Sequence, residues 1–453
     1  MSIEELHLMR DDRMAFAYYG STLTLISISI LAYNVLESLK RKETIEDIAE
    51  RYDLVADDIQ AMLHSMNISL VEENKDTISS LPQKTGVIDR ITLHISNDCN
   101  LRCKYCYANG GNYSLPRGIM SIETAELFVQ FCIDSFTSIG SIVFFGGEPM
   151  LNVPVMEHIC TLFKKYYKEG KILFLPSFAI VTNGTILNED VLSFINEHIS
   201  YITVSVDGLK NMNDINRVFA NGTGSYDKIE HFIRTVLAKT KAVVHYEATL
   251  TQAHLDEHYN RSDIAQALES EFGIKGTVVP EFNTNYNKAE DYITESHNLL
   301  ETDMKDLPFG FEAILMALAK KRPIRMCAVS KSIFAIATDG EIYPCHINTG
   351  EEQNSLGNIG GDNIFNNSSF LKRKSSVYTL KDNSKCNTCW ANNLCGGCAR
   401  QWFYNEKTKT YLEYPDDELC QINKKRIEQI LIYIGYIRKD PKRWELFREK
   451  YAK

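Results

Sequence analysis

A chain of 453 residues is too long for one ordinary core, so two to four domains are expected. With 44% hydrophobic and 24% charged residues it is globular in make-up, and a net charge of −10 excludes recruitment of nucleic acid by the surface as a whole. The start is acidic and polar, and the most apolar early run, 23–36, is broken by Thr24, Ser27, Ser29 and Asn34, so neither a signal peptide nor a membrane span is read and a cytoplasmic protein is expected.

The first elements form a small unit. Residues 14–19 and 22–28 predict a hairpin around Gly20. Ala32, Val35, Leu36 and Leu39 have helical spacing, as do Ile45, Ile48, Ala49 and Tyr52, then Ile59, Met62, Leu63 and Met66. Thr44 with Asp47 resembles a capping box. Two strands and three short helices make a winged-helix-like module, closed by a polar linker at 72–84. Strands at 91–96, 141–145, 178–182, 201–206, 243–250 and 277–280 then alternate with helices near 121–136, 155–167, 189–198, 227–239 and 263–272. That alternation predicts an α/β fold: a parallel sheet curved as a partial (β/α)6 barrel, with its chemistry at the C-terminal strand ends. Beyond it, 333–342 holds an Asp339-Gly340 hairpin signal, and Ile422, Ile430, Leu431 and Ile434 fall in helical register. The expected units are 1–84, 85–310, a cysteine-rich 311–423 and a C-terminal helix at 424–453.

Twelve cysteines in a reducing compartment read as metal ligands or catalytic thiols rather than disulfides. Cys99, Cys103 and Cys106 follow the first barrel strand with the spacing CxxxCxxC. Four thiolates are usual for a four-iron cluster, so three leave one iron open to a ligand. A structural zinc loop would need a fourth ligand nearby, and none is present. Cys132 and Cys160 stand alone on helices and are expected to be buried as small hydrophobes.

With the aromatic Tyr105 before its last cysteine, this segment resembles the signature of the radical S-adenosylmethionine (SAM) superfamily. Supporting motifs follow on successive strand ends. Gly146-Gly147-Glu148-Pro149 resembles the motif that contacts the methionine amine of SAM. Thr182-Asn183-Gly184 and Ser205-Val206-Asp207-Gly208 stand where similar enzymes bind ribose and carboxylate, and Arg217 would pair with the SAM carboxylate. Taken singly, Asn183-Gly184 and Asp207-Gly208 are also ordinary turns.

The later cysteines resemble the SPASM domain of peptide- and protein-modifying radical SAM enzymes, although Cys395 and Cys398 are separated by two residues where the family pattern has three. The resemblance implies two auxiliary clusters, one on Cys386, Cys389, Cys395 and Cys420, the other on Cys327, Cys345 and Cys398 with a fourth position open. Zinc sites would suit the same CxxC spacings. The N-terminal unit resembles the RiPP recognition element, which pairs a sheet edge with the leader of a precursor peptide. A DNA-binding helix-turn-helix is disfavoured, because the helix near 57–66 carries Asp57 and Asp58 and no Lys or Arg. A plain stabilising appendage is the bland alternative.

The run from Cys103 to Tyr113, followed by Met120-Ser121, is similar to the thioether-forming maturases of ranthipeptides and sactipeptides, the SCIFF and freyrasin maturases among them. This resemblance implies SAM, three [4Fe–4S] clusters, a precursor peptide and an electron donor of flavodoxin or ferredoxin type, with no nucleic acid or membrane partner. It implies a 5′-deoxyadenosyl radical that activates a peptide carbon for attack by a cysteine sulfur. Carbon–carbon or carbon–oxygen crosslinking would use the same motifs. Formylglycine formation, as in sulfatase maturation, is the other alternative; those relatives carry an Asp where His346 follows Cys345.

Overall fold

The computed structural model describes residues 2–68, 86–281, 310–329, 331–361 and 383–445; the expected linker at 72–84 lies outside them. The N-terminal unit has strands β1 (Leu6–Arg10), β2 (Ala15–Tyr19) and β3 (Thr24–Ile28), paired antiparallel in that order. Helices α1 (Ile30–Lys40), α2 (Ile45–Tyr52) and α3 (Ala56–Ser65) follow. The expected two strands are therefore three. Ser29 and Thr44 cap α1 and α2 by accepting from the amides of Ala32 and Asp47.

Period-two alternation gives β2 two apolar faces. Ala17 and Tyr19 pack with Val35, Leu36, Ile48, Ile59 and Leu63 of the helices. Phe16 and Tyr18 pack on α9 (Phe311–Lys320) and α10 (Asp417–Lys439), elements that come much later in the chain. More contacts fasten the unit there. His7 stacks on Trp390 at 3.6 Å, Asn393 Nδ2 donates to the Gly20 carbonyl at 2.8 Å, and Tyr436 donates to Asp11 at 2.6 Å.

The central strands are β4 (Val87–Ser96), β5 (Ser138–Gly146), β6 (Ser177–Thr182), β7 (Tyr201–Ser205), β8 (Val243–Leu250) and β9 (Gly276–Pro280). They run parallel, each paired to the next. Helices α4 (Ile122–Ser135), α5 (Val153–Lys168), α6 (Glu189–His198), α7 (Tyr226–Lys239) and α8 (Arg261–Phe272) lie between them, as expected. Ile91, Leu93, Ile142, Phe144, Ile180, Ile202, Val204 and Tyr246 point to the helices and build the main core. The alternate residues, among them His94, Phe145 and Glu247, line the opposite, inner face.

The hairpin β10 (Ile333–Ile336) and β11 (Glu341–Tyr343) forms as the Asp339-Gly340 signal predicts, with Gly340 at φ +85°. Its β10 adds to β4 in parallel, Ile333 opposite Arg90, so the later segment extends the central sheet. With β12 (Gly357–Asn358) the order is β12-β11-β10-β4-β5-β6-β7-β8-β9. Helix α10, capped by Asp416, runs without a break through the boundary expected at 423/424. Among the described residues no helix is long and apolar enough to cross a membrane.

Candidate active site

The loop after β4 is sewn in place by its backbone. The amides of Arg102 and Lys104 donate to the carbonyls of Val218 (2.7 Å) and Asn216 (3.1 Å), and Asp98 accepts from the Cys99 amide at 2.8 Å. Cys99, Cys103 and Cys106 are all partly exposed there. Burial pushes the Cys99 thiol up to about 12, with the nearby Glu148 carboxylate adding to the effect, and burial also raises Cys103. A metal bound as thiolate has to displace those protons.

Glycines let the end of β5 lie against this loop. A Cβ on Gly146, at φ +129°, would stand 2.2 Å from the Ser96 carbonyl oxygen, and one on Gly147 would stand 2.1 Å from that of Asp98. Any side chain at either position would push the cysteine loop away. Gly111 fits as closely, its would-be Cβ 2.8 Å from Cβ of Cys99.

Glu148 is fully buried and ties three segments together. Its carboxylate accepts from the Met150 amide (3.0 Å), the Thr182 hydroxyl (2.7 Å) and the Asn183 amide (2.7 Å). Burial holds its carboxyl above the usual range, opposed by these donors and Arg217. Asn183 continues the chain of contacts, its Nδ2 donating to Asn100 at 2.8 Å and lying 3.6 Å from Sγ of Cys99. Tyr105 and Arg217 meet from opposite sides: Arg217 donates to the Tyr105 hydroxyl at 2.6 Å, which donates to Asp207 at 2.7 Å. Asp207 also accepts from the Thr249 amide at 2.8 Å.

The structure thus brings Tyr105, Gly146, Gly147, Glu148, Thr182, Asn183 and Arg217 against the three cysteines. Ser205 ends β7 opposite Glu247 and stands outside this hydrogen-bond network. From the sequence Asn100 has no assigned role, and Asp207 is named only as part of the Ser205–Gly208 motif, not as the partner of Tyr105.

Two further thiol groups gather in the C-terminal segment. Cys386, Cys389, Cys395 and Cys420 line one pocket, with Met326, Trp402 and Phe403 in its wall. The Cys327 amide donates to the Gly397 carbonyl at 2.8 Å, which places it beside Cys398. Cys327 and Cys345 pack on the small core of Val329, Ala399, Trp402 and Phe403. Burial raises both thiols, while the Arg90 guanidinium draws both down. His346 Nδ1 lies 3.5 Å from Sγ of Cys345, and its ring rests on Phe145 at 4.8 Å, so this group adjoins the inner face of the sheet. Cys132 and Cys160 are buried in the main core, as expected.

The sequence model of the radical SAM superfamily matches residues 93–269. Over those residues the chain matches a radical SAM domain. It is 26% identical over 367 residues to a cysteine-type anaerobic sulfatase-maturating enzyme of Clostridium novyi (strain NT), covering 76% of this chain and 95% of that one. The radical SAM cyclopropyl synthase TigE of Paramaledivibacter caminithermalis is 22% identical over 463 residues, 94% of each chain. Native anSMEcpe with bound AdoMet and Cp18Cys peptide shares the fold, with a TM-score of 0.56 at 21% identity over 77% of this chain and 99% of that one.

A radical SAM domain implies SAM and a [4Fe–4S] cluster. The residues present fit both groups. Three thiols share one loop, each close enough to the next to act on it, and the glycines let the end of β5 close against that loop. Among the described residues Nε of the buried Arg217 has no protein partner, an orphan that a ligand carboxylate would satisfy.

Proposed function

We propose that this chain is a maturase that installs sulfur-to-carbon thioether crosslinks in a ribosomally made precursor peptide. The observation that carries it is the site of Cys327, Cys345 and Cys398. Cys345 there adjoins the inner face of the sheet through His346 and Phe145, and a cluster held by three thiols would keep one iron for the sulfur of a peptide cysteine. Peptide as substrate class is supported by anSMEcpe, whose structure holds a Cp18Cys peptide, and TigE aligns with 94% of this chain, whereas the sulfatase maturase leaves about a quarter of it unmatched.

When bound, SAM and the clusters supply a 5′-deoxyadenosyl radical and accept the surplus electron of the new bond. The chain's own residues position the parts. Cys99, Cys103 and Cys106 hold the first cluster, and the Gly146-Gly147 turn, seated against their loop, borders the methionine end of SAM. Glu148, by fixing Thr182 and Asn183, shapes the wall beside it, and Arg217, steadied by Tyr105 and Asp207, takes the SAM carboxylate. Cys386, Cys389, Cys395 and Cys420 hold one auxiliary cluster, and Cys327, Cys345 and Cys398 the other, making three clusters in all. The N-terminal unit grips the leader along the edge of β3, and a flavodoxin- or ferredoxin-type protein delivers electrons. Residues 1–84, 85–310 and 311–423 are the recognition, radical SAM and SPASM units, with α10 joining the last to the C-terminal segment 424–453.

The match to TigE over 94% of the chain favours one second reading, carbon–carbon bond formation. Co-expression with the cysteine-containing peptide encoded beside the gene, followed by tandem mass spectrometry, separates the two. Loss of two hydrogens per link with cysteines resistant to alkylation is the expected result. The same loss with every cysteine alkylatable replaces thioether by carbon–carbon bonding, and an unmodified peptide from an enzyme that cleaves SAM overturns both in favour of the formylglycine alternative.

A further inference from the structure

The cavity lined by Cys386, Cys389, Cys395 and Cys420 has two amides aimed at its sulfurs. Asn423 Nδ2 donates to Sγ of Cys395 at 3.3 Å, and Asn383 Nδ2 donates to Sγ of Cys386 at 3.3 Å. The orientation of each amide is fixed by chemistry at its other end. Asn423 Oδ1 accepts from the guanidinium of Arg426, which has donors only, so the amino group must face the sulfur. Asn383 Oδ1 accepts from the Cys386 amide at 2.8 Å, again leaving the amino group for the thiol. Asn423 is buried, at 4% exposure, and lies three residues after Cys420 on α10, so both project to the same side of that helix. Asn383 is the N-cap of the short helix Ser384–Asn387, which presents Cys386.

We propose that Asn383 and Asn423 set the reduction potential of the cluster on Cys386, Cys389, Cys395 and Cys420 by donating N–H···S hydrogen bonds to two of its ligands. This rests on the assignment of a cluster to those four thiols. Reduction adds one electron and no proton, so negative charge accumulates on the iron–sulfur core and its thiolates. A donor at sulfur stabilises that more negative state more than the oxidised one, and the potential rises. Both asparagines are positioning residues: they touch ligands, not substrate.

The test is a dithionite titration of the full-length, cluster-loaded protein, followed by electron paramagnetic resonance with iron and sulfide counted in parallel. Asn423→Leu keeps the volume and removes the donor. Asn383→Asp keeps the helix cap and replaces the donor by a charge, and so remains informative if Asn423→Leu disturbs folding. Each is expected to leave iron content unchanged and to disfavour reduction of one cluster at least tenfold at fixed potential, about 59 mV for a one-electron couple. The double variant shifts it further, and Asn423→Gln, which keeps an amide, shifts it less than Asn423→Leu. Midpoints that stay at the wild-type values with all iron retained overturn the proposal. Loss of the underlying assignment is seen separately: Cys386→Ala is expected to drop about four irons per chain, and an unchanged iron count there removes the cluster itself.

Discussion

Replacement of Gly435 by alanine sets two forces against each other. Gly435 lies inside α10, and alanine there should strengthen the helix by about 0.8–1 kcal/mol. Its missing Cβ, however, would stand 2.1 Å from Cε1 of Phe16, a ring fully buried between the N-terminal sheet and the helix. Ordinary contact needs roughly 3.4 Å, so the ring has to retreat by more than about 1 Å into a close-packed interior. Overpacking of that kind costs about 1–3 kcal/mol, and so close an approach belongs at the upper end. The net expectation for Gly435→Ala is a loss of about 2 kcal/mol, local to the seam between β2 and α10. Hydrogen exchange followed by mass spectrometry reads it as amides of Ala15–Tyr19 exchanging about 30-fold faster. Adding Phe16→Leu should recover part of the protection. Slower exchange in the single variant would mean that propensity wins and that the packing argument is wrong.

Glu148→Ala leaves the Met150 and Asn183 amides and the Thr182 hydroxyl without their acceptor, at about 1–3 kcal/mol for each buried donor. SAM affinity by equilibrium dialysis should fall at least about 100-fold while the iron of the first cluster is retained. Tyr105→Phe removes the hydroxyl between Arg217 and Asp207, a bond to charged groups worth about 1.5–3 kcal/mol; SAM dissociation should rise about 10- to 100-fold. His94 is held neutral by burial, its pKa lowered to about 3. It takes a proton below about pH 6.5 only when the chain unfolds. Acid therefore destabilises the fold, by up to about 1.4 kcal/mol per pH unit between pH 6.5 and 5. His94→Gln should flatten that slope in anaerobic acid denaturation, and an unaltered slope would mean the ring is charged in the fold.

Most of the central architecture is legible in the sequence because its signals are local. Strand runs such as 243–250 and helix spacings such as that of 189–198 depend on near neighbours, and the observed elements keep those bounds. The spacing CxxxCxxC likewise puts Cys99, Cys103 and Cys106 on one loop, whereas Cys395 and Cys398, spaced as CxxC, part into different groups that spacing alone does not foretell. Strand β1 was hidden because His7 and Arg10 are polar and look solvent-facing, whereas His7 stacks on Trp390 and Arg10 lies over Tyr33 at 5.0 Å. Those partners are distant in sequence, and no periodicity announces them. Asn383 and Asn423 were equally mute, for an asparagine three residues from a cysteine is ordinary until the fold turns its amide on a sulfur.

The seam that holds the N-terminal sheet to α9, α10 and the Trp390 loop also bears on substrate length. His7, Asp11, Phe16 and Gly20 fasten the module to the cysteine-rich end of the molecule. A peptide gripped at β3 would be measured from a fixed post to the inner face of the sheet. The number of residues between leader and modified carbon then behaves as a ruler, with a minimum set by the span and a tolerance set only by slack in the peptide itself.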